Sequence, residues 1–382
     1  MSTVQQVDTS VEQRVASVKG MPLEHLLRSY RSILRHRAIF YPVAYQFLGE
    51  LGRGRQGVVM LGLRQGARGC ITEHAIKVFD PSIYASPEEY WTDMGRIAAQ
   101  ITRLQHVQSP HLVSRHSYEE THGIGYLEME VIDGVDLRRL LSRAHLEVVR
   151  QRSTAKEWAK FTRAIFRLEG DRLSLQPGVA VYILRGVLQG LESLHAASFL
   201  HCDIKPANIM IDRLGYVKLV DFGRGVIEDE QVTHLFGSPY YMAPEIHQRQ
   251  PGRKQADLYS VGLVALELLC GGPFVGAAEQ PAESTLLQLK QALPGRLPEL
   301  LPPHVLANVN LVNILRKCVD PVPDNRYRSA RDAEVGEDGL RIIDKQLVRA
   351  GLDSEYARDL ADYLAKTVNP QTNRIEFPEP AN

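Results

Sequence analysis

The chain has 382 residues, of which 44% are hydrophobic and 24% are charged, as is typical of a globular protein that buries a sizeable core. At roughly 100–200 residues per domain, this length allows two or three domains, or one large two-lobed domain with extensions. The 45 Lys and Arg residues balance the 45 Asp and Glu residues, and this balance argues against a protein that coats nucleic acid or an anionic membrane.

Residues 1–43 are predicted to form a helical extension. In Pro22–Ile39 the apolar residues recur near helical spacing, with arginines between them. This pattern is typical of an amphipathic helix that braces a larger domain. Because of its arginines, a basic helix that binds a partner is the alternative.

Short strands and then helices follow in chain order. Residues 44–131 read as strands broken by glycine, with one long helical stretch from about Pro87 to Val107. Residues 132–335 are mainly helical, and residues 336–382 add a helical tail with a polar end. A strand-rich half followed by a helix-rich half predicts an α+β protein with two lobes.

A charged segment at about 143–175 lengthens the helical half. Its sequence, RAHLEVVRQRSTAKEWAKFTRAIFRLEGDR, mixes acidic and basic residues throughout. An inserted helix pair is one interpretation, and a docking surface for a substrate or regulator is the other. The terminal helices are further candidates for partner docking.

The cysteines and the apolar stretches bear on compartment. The four cysteines (Cys70, Cys202, Cys270 and Cys318) are far apart and form no CxxC pair, which argues against a disulfide framework or a cysteine zinc site. The best apolar stretch, Val261–Cys270, is shorter than the roughly 20 residues that a membrane span needs. We expect a cytoplasmic protein without a membrane span.

The first chemical signal is the glycine-rich segment LGRGRQGVV, with Gly52, Gly54 and Gly57. Glycines allow backbone amides to approach a phosphate closely. A dinucleotide-binding turn has the same spacing but should open a helix, whereas VVMLGLR follows here and is strand-like. The segment therefore predicts a hairpin tip that folds over a ligand, with an ordinary glycine-rich hairpin as the alternative.

The second signal is Lys77 in HAIKVFD, between the apolar residues Ile76 and Val78 of a predicted strand. Lysine is rarely buried without an anionic partner. One strand beyond a glycine hairpin, its amino group could reach the phosphates of a nucleotide.

The strongest signal is LHCDIKPANIM, in which Asp203 is followed by Lys205 and Asn208. An Asp can orient a hydroxyl nucleophile and accept its proton, and Lys can neutralise a transferring phosphoryl group. The amide oxygen of Asn208 and the carboxylate of Asp221, in VDFGRG, are oxygen ligands suited to a hard cation.

Taken in order, these segments resemble the eukaryotic type of protein kinase domain. The resemblance extends through YMAPE, ADLYSVG and DPVPDNRY and covers about Tyr45 to Ala333. It implies a two-lobed kinase domain over residues 44–335. The small lobe, an antiparallel sheet with one main helix, would span about 44–131, and the large helical lobe about 132–335.

The resemblance also implies the site residues. Asp203 would be the catalytic base, assisted by Lys205, with Asn208 and Asp221 as ligands of Mg²⁺ or Mn²⁺. Met129 falls at the gatekeeper position. The residues implied to bind ATP are Leu51, Gly52, Gly54, Gly57, Val59, Ala75, Lys77, Glu130, Ile132, Asp136, Asn208 and Asp221.

Other matched positions point to a branch of the family and to bracing. Lys205 and Ser238 resemble the serine/threonine-specific branch, and the DIKPAN and GSPYYMAPE spellings resemble bacterial members. Glu245 and Arg326 match a buried pair of the large lobe, and Asp257 matches a residue that supports the catalytic loop from beneath.

Two positions depart from the family pattern. Gln100 occupies the helix position that usually holds a glutamate paired with the lysine, and Glu88 and Glu89 are about 17–18 Å up the helix. Cys202 replaces the arginine that receives an activation-loop phosphate, so phosphate at Thr233 is not expected to switch the enzyme strongly. The neighbouring His201 is expected to pack against Phe222 rather than to act as an acid or base.

These features predict an ATP-dependent kinase that phosphorylates Ser and Thr in protein substrates. The alternative is a pseudokinase scaffold with little turnover, which only Gln100 favours. A small-molecule kinase of related fold is the third hypothesis, and the YMAPE segment, Asp257 and Arg326 argue against it.

Overall fold

A computed structural model describes residues 21–170, 172–221, 225–228, 238–275, 281–349 and 355–376. These residues fall into two compact units. The first unit contains the residues up to His106 together with Ser114–Val131, and the second contains Val107–Val113 together with the residues from Ile132 onward. The predicted α+β class is confirmed, because a sheet dominates the first unit and helices dominate the second.

The first unit is built on a six-stranded antiparallel sheet. Its strands are β1 (Ala38–Ile39), β2 (Tyr45–Gly54), β3 (Gly57–Gln65), β4 (Ile71–Phe79), β5 (Arg115–Thr121) and β6 (Ile124–Met129). Their order across the sheet is β1-β2-β3-β4-β6-β5, so β6 lies between β4 and β5. β3 and β4 pair without interruption from Gly57 opposite Phe79 to Gln65 opposite Ile71, which fixes the faces of both strands.

The predicted N-terminal helix is present as α1 (Leu23–His36). One face of this helix is buried, through Leu26, Tyr30 and Ile33. Leu26 packs against the turn between β5 and β6 at Gly123. The apolar face of α1 is therefore used inside the first unit, which favours the brace over a helix that offers this face to a partner.

The second helix of the first unit is α2 (Pro87–Leu104). It begins after Ser86, whose hydroxyl oxygen accepts a hydrogen bond from the N–H of Glu89 at 3.3 Å. Proline at the first helical position costs no hydrogen bond there, because the first turn has no intrahelical acceptors for its N–H groups.

Two long apolar helices form the core of the second unit. They are α6 (Pro177–Ala196) and α8 (Lys254–Cys270), and both are buried around most of their circumference. The other helices are α3 (Leu137–Leu140), α4 (Arg143–Gln151), α5 (Ala155–Ala164), α7 (Pro244–His247), α9 (Glu283–Leu300), α10 (Pro303–Leu306), α11 (Val309–Cys318), α12 (Ala330–Val335), α13 (Arg341–Arg349) and α14 (Tyr356–Leu364). Among the described residues, no helix has both the length and the apolarity that crossing a membrane requires.

Three small sheets complete the described part of the second unit. Their strands are β7 (Gly134–Asp136), β8 (Phe166–Glu169), β9 (Arg172–Leu175), β10 (Phe199–Leu200), β11 (Ile209–Asp212), β12 (Val217–Leu219) and β13 (Val226–Ile227). β7, β11 and β12 form one sheet in the order β12-β11-β7, while β8 pairs with β9 and β10 with β13. In the sheet of three strands, β11 follows the segment that contains Asp203 and Asn208, and β12 precedes Asp221.

The inserted segment at 143–175 contains the predicted helix pair, α4 and α5, and then the hairpin β8–β9. Helix α14 packs on it. The ring of Tyr363 lies 5.3, 5.4 and 4.9 Å, centroid to centroid, from the rings of His145, Phe161 and Phe166. The tail of the chain thus covers the aromatic side of the insertion.

Truncating Tyr363 should destabilise the second unit. The side chain is fully buried at 0% exposure, so Tyr363→Ala should lower the free energy of unfolding by about 3–5 kcal/mol, as for other large aromatic truncations. Tyr216→Ala is the matched control, because Tyr216 is 52% exposed and should change stability by less than about 0.5 kcal/mol. Urea denaturation measures both free energies. A loss for Tyr363→Ala no larger than that for Tyr216→Ala would show that the contacts of Tyr363 on α14 do not stabilise this unit.

Candidate active site

The glycine-rich segment forms the hairpin between β2 and β3, and β3 follows it directly as a strand. Gly57 has φ +144°, and a Cβ placed there would lie 2.0 Å from the carbonyl oxygen of Val78 on β4. Around Gly52 and Gly54, in contrast, a Cβ would meet no atom within 4 Å. The segment is therefore a hairpin between two strands and not a helix-opening dinucleotide turn.

Lys77 lies on β4, opposite Val59 on β3 and Leu127 on β6, and is only 6% exposed. Its Nζ donates a hydrogen bond to Oε1 of Gln56 at 3.0 Å. Gln56 lies at the hairpin tip between Gly54 and Gly57. The lysine therefore contacts the glycine hairpin directly, through a residue that the sequence analysis did not single out.

Gln100 lies on the buried face of α2 and is 7% exposed. Leu104 is on the same face, as the predicted register requires. Glu88 and Glu89 are exposed in the first turn of α2, where the carboxylate of Glu89 accepts the N–H of Ala85 at 3.0 Å. These acids serve the helix N-terminus. The predicted hydrogen bond from Nζ of Lys77 to Oε1 of Gln100 is not formed among the described residues, where Lys77 donates to Gln56 instead.

The other first-unit positions of the predicted ATP site lie along the sheet. Ala75 on β4 is buried opposite Met129 at the end of β6. Leu51 on β2 and Val59 on β3 are half-buried. Glu130 follows β6, and its N–H donates to the carbonyl oxygen of Ser114 at 3.0 Å, so an adenine contact there would use the carbonyl oxygen of Glu130.

The catalytic segment of the second unit gathers its polar groups around Asp203, which is 4% exposed. Oδ2 of Asp203 accepts hydrogen bonds from Nζ of Lys205 at 2.7 Å and from Nδ2 of Asn208 at 3.0 Å. Oδ1 accepts the backbone N–H of Ser238 at 3.0 Å. Three donors thus fix the carboxylate, and Ser238 takes part through its backbone.

A backbone hydrogen bond joins Asn208 to Val220, the residue before Asp221. Nδ2 of Asn208 also donates to the carbonyl oxygen of Asp203 at 2.8 Å, so its bonds within the segment use the amide nitrogen and not Oδ1. The N–H of Val220 donates to the carbonyl oxygen of Asn208 at 2.9 Å. This bond holds the residue before Asp221 against Asn208. Asp221 itself has φ +58°, a strained conformation of the kind often found at functional sites.

Asp257 supports the catalytic segment from beneath, as predicted. It is 1% exposed, and its carboxylate accepts the N–H groups of His201 and Cys202 at 2.8 and 2.9 Å. His195 lies 2.9 Å from the same carboxylate. Burial alone would raise the pKa of Asp257, but the hydrogen bonds from His195 and the backbone amides lower it. Asp257 is therefore ionised, and its carboxylate fixes the backbone of Cys202, whose φ is +61°.

His201 is a buried structural residue. It is 0% exposed, its Nε2 lies 3.3 Å from the carbonyl oxygen of Val220, and burial lowers its pKa. A neutral buried ring fits the expectation that it is no acid or base. Phe222, its expected packing partner, and Thr233 lie outside the described residues.

Asp136 and Ile132 lie at the start of the second unit. Oδ1 of Asp136 accepts the N–H of Arg139 at 3.0 Å and caps helix α3. The guanidinium of Arg139 lies 3.6 Å from the other carboxylate oxygen. The carboxylate therefore has a structural function as a helix cap, and its predicted contact with a ribose stays a prediction. Ile132 is half-buried.

The predicted pair of Glu245 and Arg326 is present and bidentate, with N–O distances of 2.7 and 2.8 Å. The guanidinium also donates to the carbonyl oxygens of Asp320 and Gln255 at 2.7 and 2.9 Å. Arg326 thus ties α7 and the start of α8 to the loop after α11.

Sequence reasoning missed Lys290, which lies on α9 and is 0% exposed. Its Nζ donates to the carbonyl oxygens of Pro239 and Met242, both at 2.5 Å, and lies 2.9 Å from Nε2 of His247. Burial lowers the pKa of Lys290 to about 7. The lysine fixes the segment whose first residue, Ser238, donates to Asp203. No motif marks it, because on a helix it reads as an ordinary solvated lysine.

Known proteins resemble most of this chain in sequence. Residues 45–334 match the description "Protein kinase domain". The chain is 32% identical over 235 residues to serine/threonine-protein kinase PknE of Mycobacterium bovis, which covers 60% of this chain and 35% of that protein. It is 29% identical over 299 residues to serine/threonine-protein kinase PrkC of Bacillus subtilis, covering 76% of this chain and 39% of that protein.

A third relative covers more of the chain. Serine/threonine-protein kinase PknH of Mycobacterium bovis is 27% identical over 344 residues, which is 88% of this chain and 50% of that protein. The chain thus spans between 35% and 50% of the length of these curated relatives. The family match and the sheet-rich and helix-rich units confirm the predicted kinase fold: the chain belongs to the protein kinase domain family.

Proposed function

We propose that the chain is a protein serine/threonine kinase that transfers the γ-phosphoryl group of ATP to Ser and Thr hydroxyls of protein substrates. The observation that carries this proposal is the set of three hydrogen bonds around Asp203. They hold the carboxylate ready to orient a hydroxyl and to accept its proton. Lys205, 2.7 Å from that carboxylate, would offset negative charge on the transferring group.

The donor set of the second unit fits a magnesium ion. Asn208 offers an amide oxygen and Asp221 a carboxylate, and hard cations such as Mg²⁺ prefer such oxygen ligands. When bound, the ion would neutralise phosphate charge, and Mn²⁺ would suit the same ligands. In the first unit, Lys77 and the backbone amides of the glycine hairpin would hold the phosphates of ATP. We assign adenine and ribose contacts to Glu130, Ile132 and Asp136 on the family resemblance.

We further propose that residues 44–335 form the catalytic domain and that residues 1–43 and 336–382 are extensions. Partner docking at the 143–175 insertion or at the terminal helices would use their charged outer faces, because α14 covers the aromatic side of the insertion and α1 buries its apolar face. The four free cysteine thiols support a reducing, cytoplasmic location.

An acceptor panel tests the proposed activity. The full chain is incubated with Mg²⁺ and γ-labelled ATP, together with general protein substrates or with small-molecule alcohols. We expect label on phosphoserine and phosphothreonine of the proteins. Transfer only to small molecules, or label on tyrosine alone, would contradict the assigned substrate class.

Gln100 is the one residue that favours the scaffold alternative, so its variants test whether it limits turnover. Gln100→Glu restores charge beside the proposed lysine partner, and we expect equal or better ATP affinity with modestly higher turnover. Gln100→Leu removes an acceptor. The loss of a hydrogen bond to a charged group is about 1.5–3 kcal/mol, or roughly ten- to a hundredfold in rate. Because Lys77 already donates to Gln56 in this structure, we expect the lower end of that range.

The matched control is Gln105→Leu, since Gln105 is exposed just after α2. Steady-state kinetics of the three variants give turnover and the KM for ATP, and so test whether Gln100 positions Lys77. Unchanged kinetics in Gln100→Leu would mean that the lysine is organised without Gln100.

A further inference from the structure

Two histidines and a glutamate converge on one face of the first-unit sheet. Nδ1 of His74 lies 2.7 Å from Oε1 of Glu128, and Nδ1 of His116 lies 3.6 Å from the same oxygen. The ligand atoms of all three residues lie within 4.8 Å of one another. None of them is a predicted ATP-binding, metal-binding or catalytic residue, and His74 and His116 come from strands on either side of β6.

The sheet register explains why these residues meet. Glu128 on β6 lies opposite Ile76 on β4 and opposite Ser117 on β5. His74 is two residues before Ile76 and shares its face, because side chains alternate along a strand. The faces of β4 alternate, so this cluster lies on the side opposite to Lys77.

His116 reaches the same face through an irregularity in β5. The pairing shifts between Arg115 and Ser117, so His116 is the extra residue of a β-bulge. A bulge redirects a side chain that would otherwise point to the opposite face, and bulges are enriched next to functional sites. The side chain of His116 is 44% exposed, which leaves one side of the cluster open to solvent.

The carboxylate of Glu128 is oriented toward the two rings. Its residue is 7% exposed, and Oε2 accepts a hydrogen bond from the hydroxyl of Ser117 at 3.0 Å. Oε1 is the oxygen that faces His74 and His116. A buried carboxylate of this kind needs a cation or further donors to offset its desolvation.

His74 is arranged as a ligand more than as a hydrogen-bond donor. Its Nε2 lies 2.7 Å from the hydroxyl oxygen of Thr72, which fixes the ring. Its Nδ1 is buried and, despite the 2.7 Å distance to Glu128, lacks a hydrogen bond of acceptable geometry. A neutral imidazole held by an outer hydrogen bond is the usual form of a metal-binding histidine.

We propose that His74, His116 and Glu128 form a binding site for a divalent transition metal ion, with Zn²⁺ as the best fit. Zinc takes histidine nitrogens and carboxylate oxygens at about 2.0–2.2 Å, and imidazole ligands favour Zn²⁺ over Mg²⁺. Three protein ligands leave a fourth position for water on the exposed side. The ion would link β4, β5 and β6.

Titration of ZnCl₂ into the full chain, followed by calorimetry, tests this site. We expect one zinc ion per chain and a rise in the melting temperature of the first unit. His116→Ala and Glu128→Gln should remove this stoichiometric binding. Thr72→Val, which deletes the outer hydrogen bond, should weaken it about 10- to 100-fold. Millimolar Mg²⁺ should not displace the ion.

His106→Ala is the matched control, because His106 is an exposed histidine of the same unit, and it should bind zinc like the native chain. Circular dichroism in chelator checks that each variant is folded, and the exposed His116 position is the least sensitive to substitution. Cobalt(II) gives a second readout, with visible bands but no thiolate charge transfer. Stoichiometric binding that survives in His116→Ala and Glu128→Gln, a thiolate signal, or only weak multisite binding would overturn the proposal.

Discussion

Replacing Arg326 with leucine should lower the free energy of unfolding by about 3–5 kcal/mol. The guanidinium is 0% exposed and the side chain of Glu245 is 6% exposed. Without Arg326 the carboxylate of Glu245 would remain buried without a cation. The carbonyl oxygens of Asp320 and Gln255 would lose their donor as well. Removing one partner of a buried pair costs far more than the net stabilisation of the intact pair.

Two further variants separate this effect from a general loss of charge. Arg358→Leu removes an arginine whose pair with Glu355 is 74% exposed on both sides, and it should cost at most about 1 kcal/mol. The double change Arg326→Met with Glu245→Leu removes both charges and should recover much of the stability lost in the single variant. Denaturant titration gives all three values. A cost for Arg326→Leu no larger than that for Arg358→Leu would refute the assignment of the pair as a brace.

Asp203→Asn should reduce phosphoryl transfer by about 10²–10⁴-fold, the contribution typical of general acid–base catalysis. The substitution keeps the size of the side chain but removes its proton affinity. Both carboxylate oxygens of Asp203 accept hydrogen bonds. In Asn the amide nitrogen replaces one of these oxygens and cannot accept, so at least one of the three hydrogen bonds is lost. ATP binding should change little, because the roles proposed for nucleotide and metal belong to other residues.

Asp212→Asn is the matched control for this change. Asp212 ends β11, and its Oδ1 accepts the N–H groups of Leu214 and Tyr216, both at 2.9 Å, so its carboxylate has a structural function in a turn. Turnover in Asp212→Asn should stay near the native value. Comparable turnover in Asp203→Asn and the native chain would remove Asp203 from the mechanism.

The local parts of the site could be predicted from sequence. The glycine hairpin, the strand position of Lys77 and the grouping of Asp203 with Lys205 and Asn208 depend on residues close together in the chain and on strand periodicity. The pair of Glu245 and Arg326, 81 positions apart, was predicted only through the family resemblance.

Contacts made by unremarkable residues could not be predicted. Gln56 lies between the glycines of the hairpin motif, and Lys290 and Tyr363 belong to no motif. Each of the three makes its contact with a distant segment of the chain. The bulge at His116 likewise depends on how β5 pairs with β6. The helix cap formed by Asp136 was not predicted either, and its ribose contact stays a prediction.

The most direct test of the proposed function is a single-turnover experiment. The full chain, in excess, is mixed with Mg²⁺, γ-labelled ATP and a serine- and threonine-containing protein. The label is then divided between nucleotide, free phosphate and protein. We predict that the label moves to serine and threonine side chains. Label that stays on tightly bound ATP would contradict the proposal and identify the chain as a nucleotide-binding scaffold.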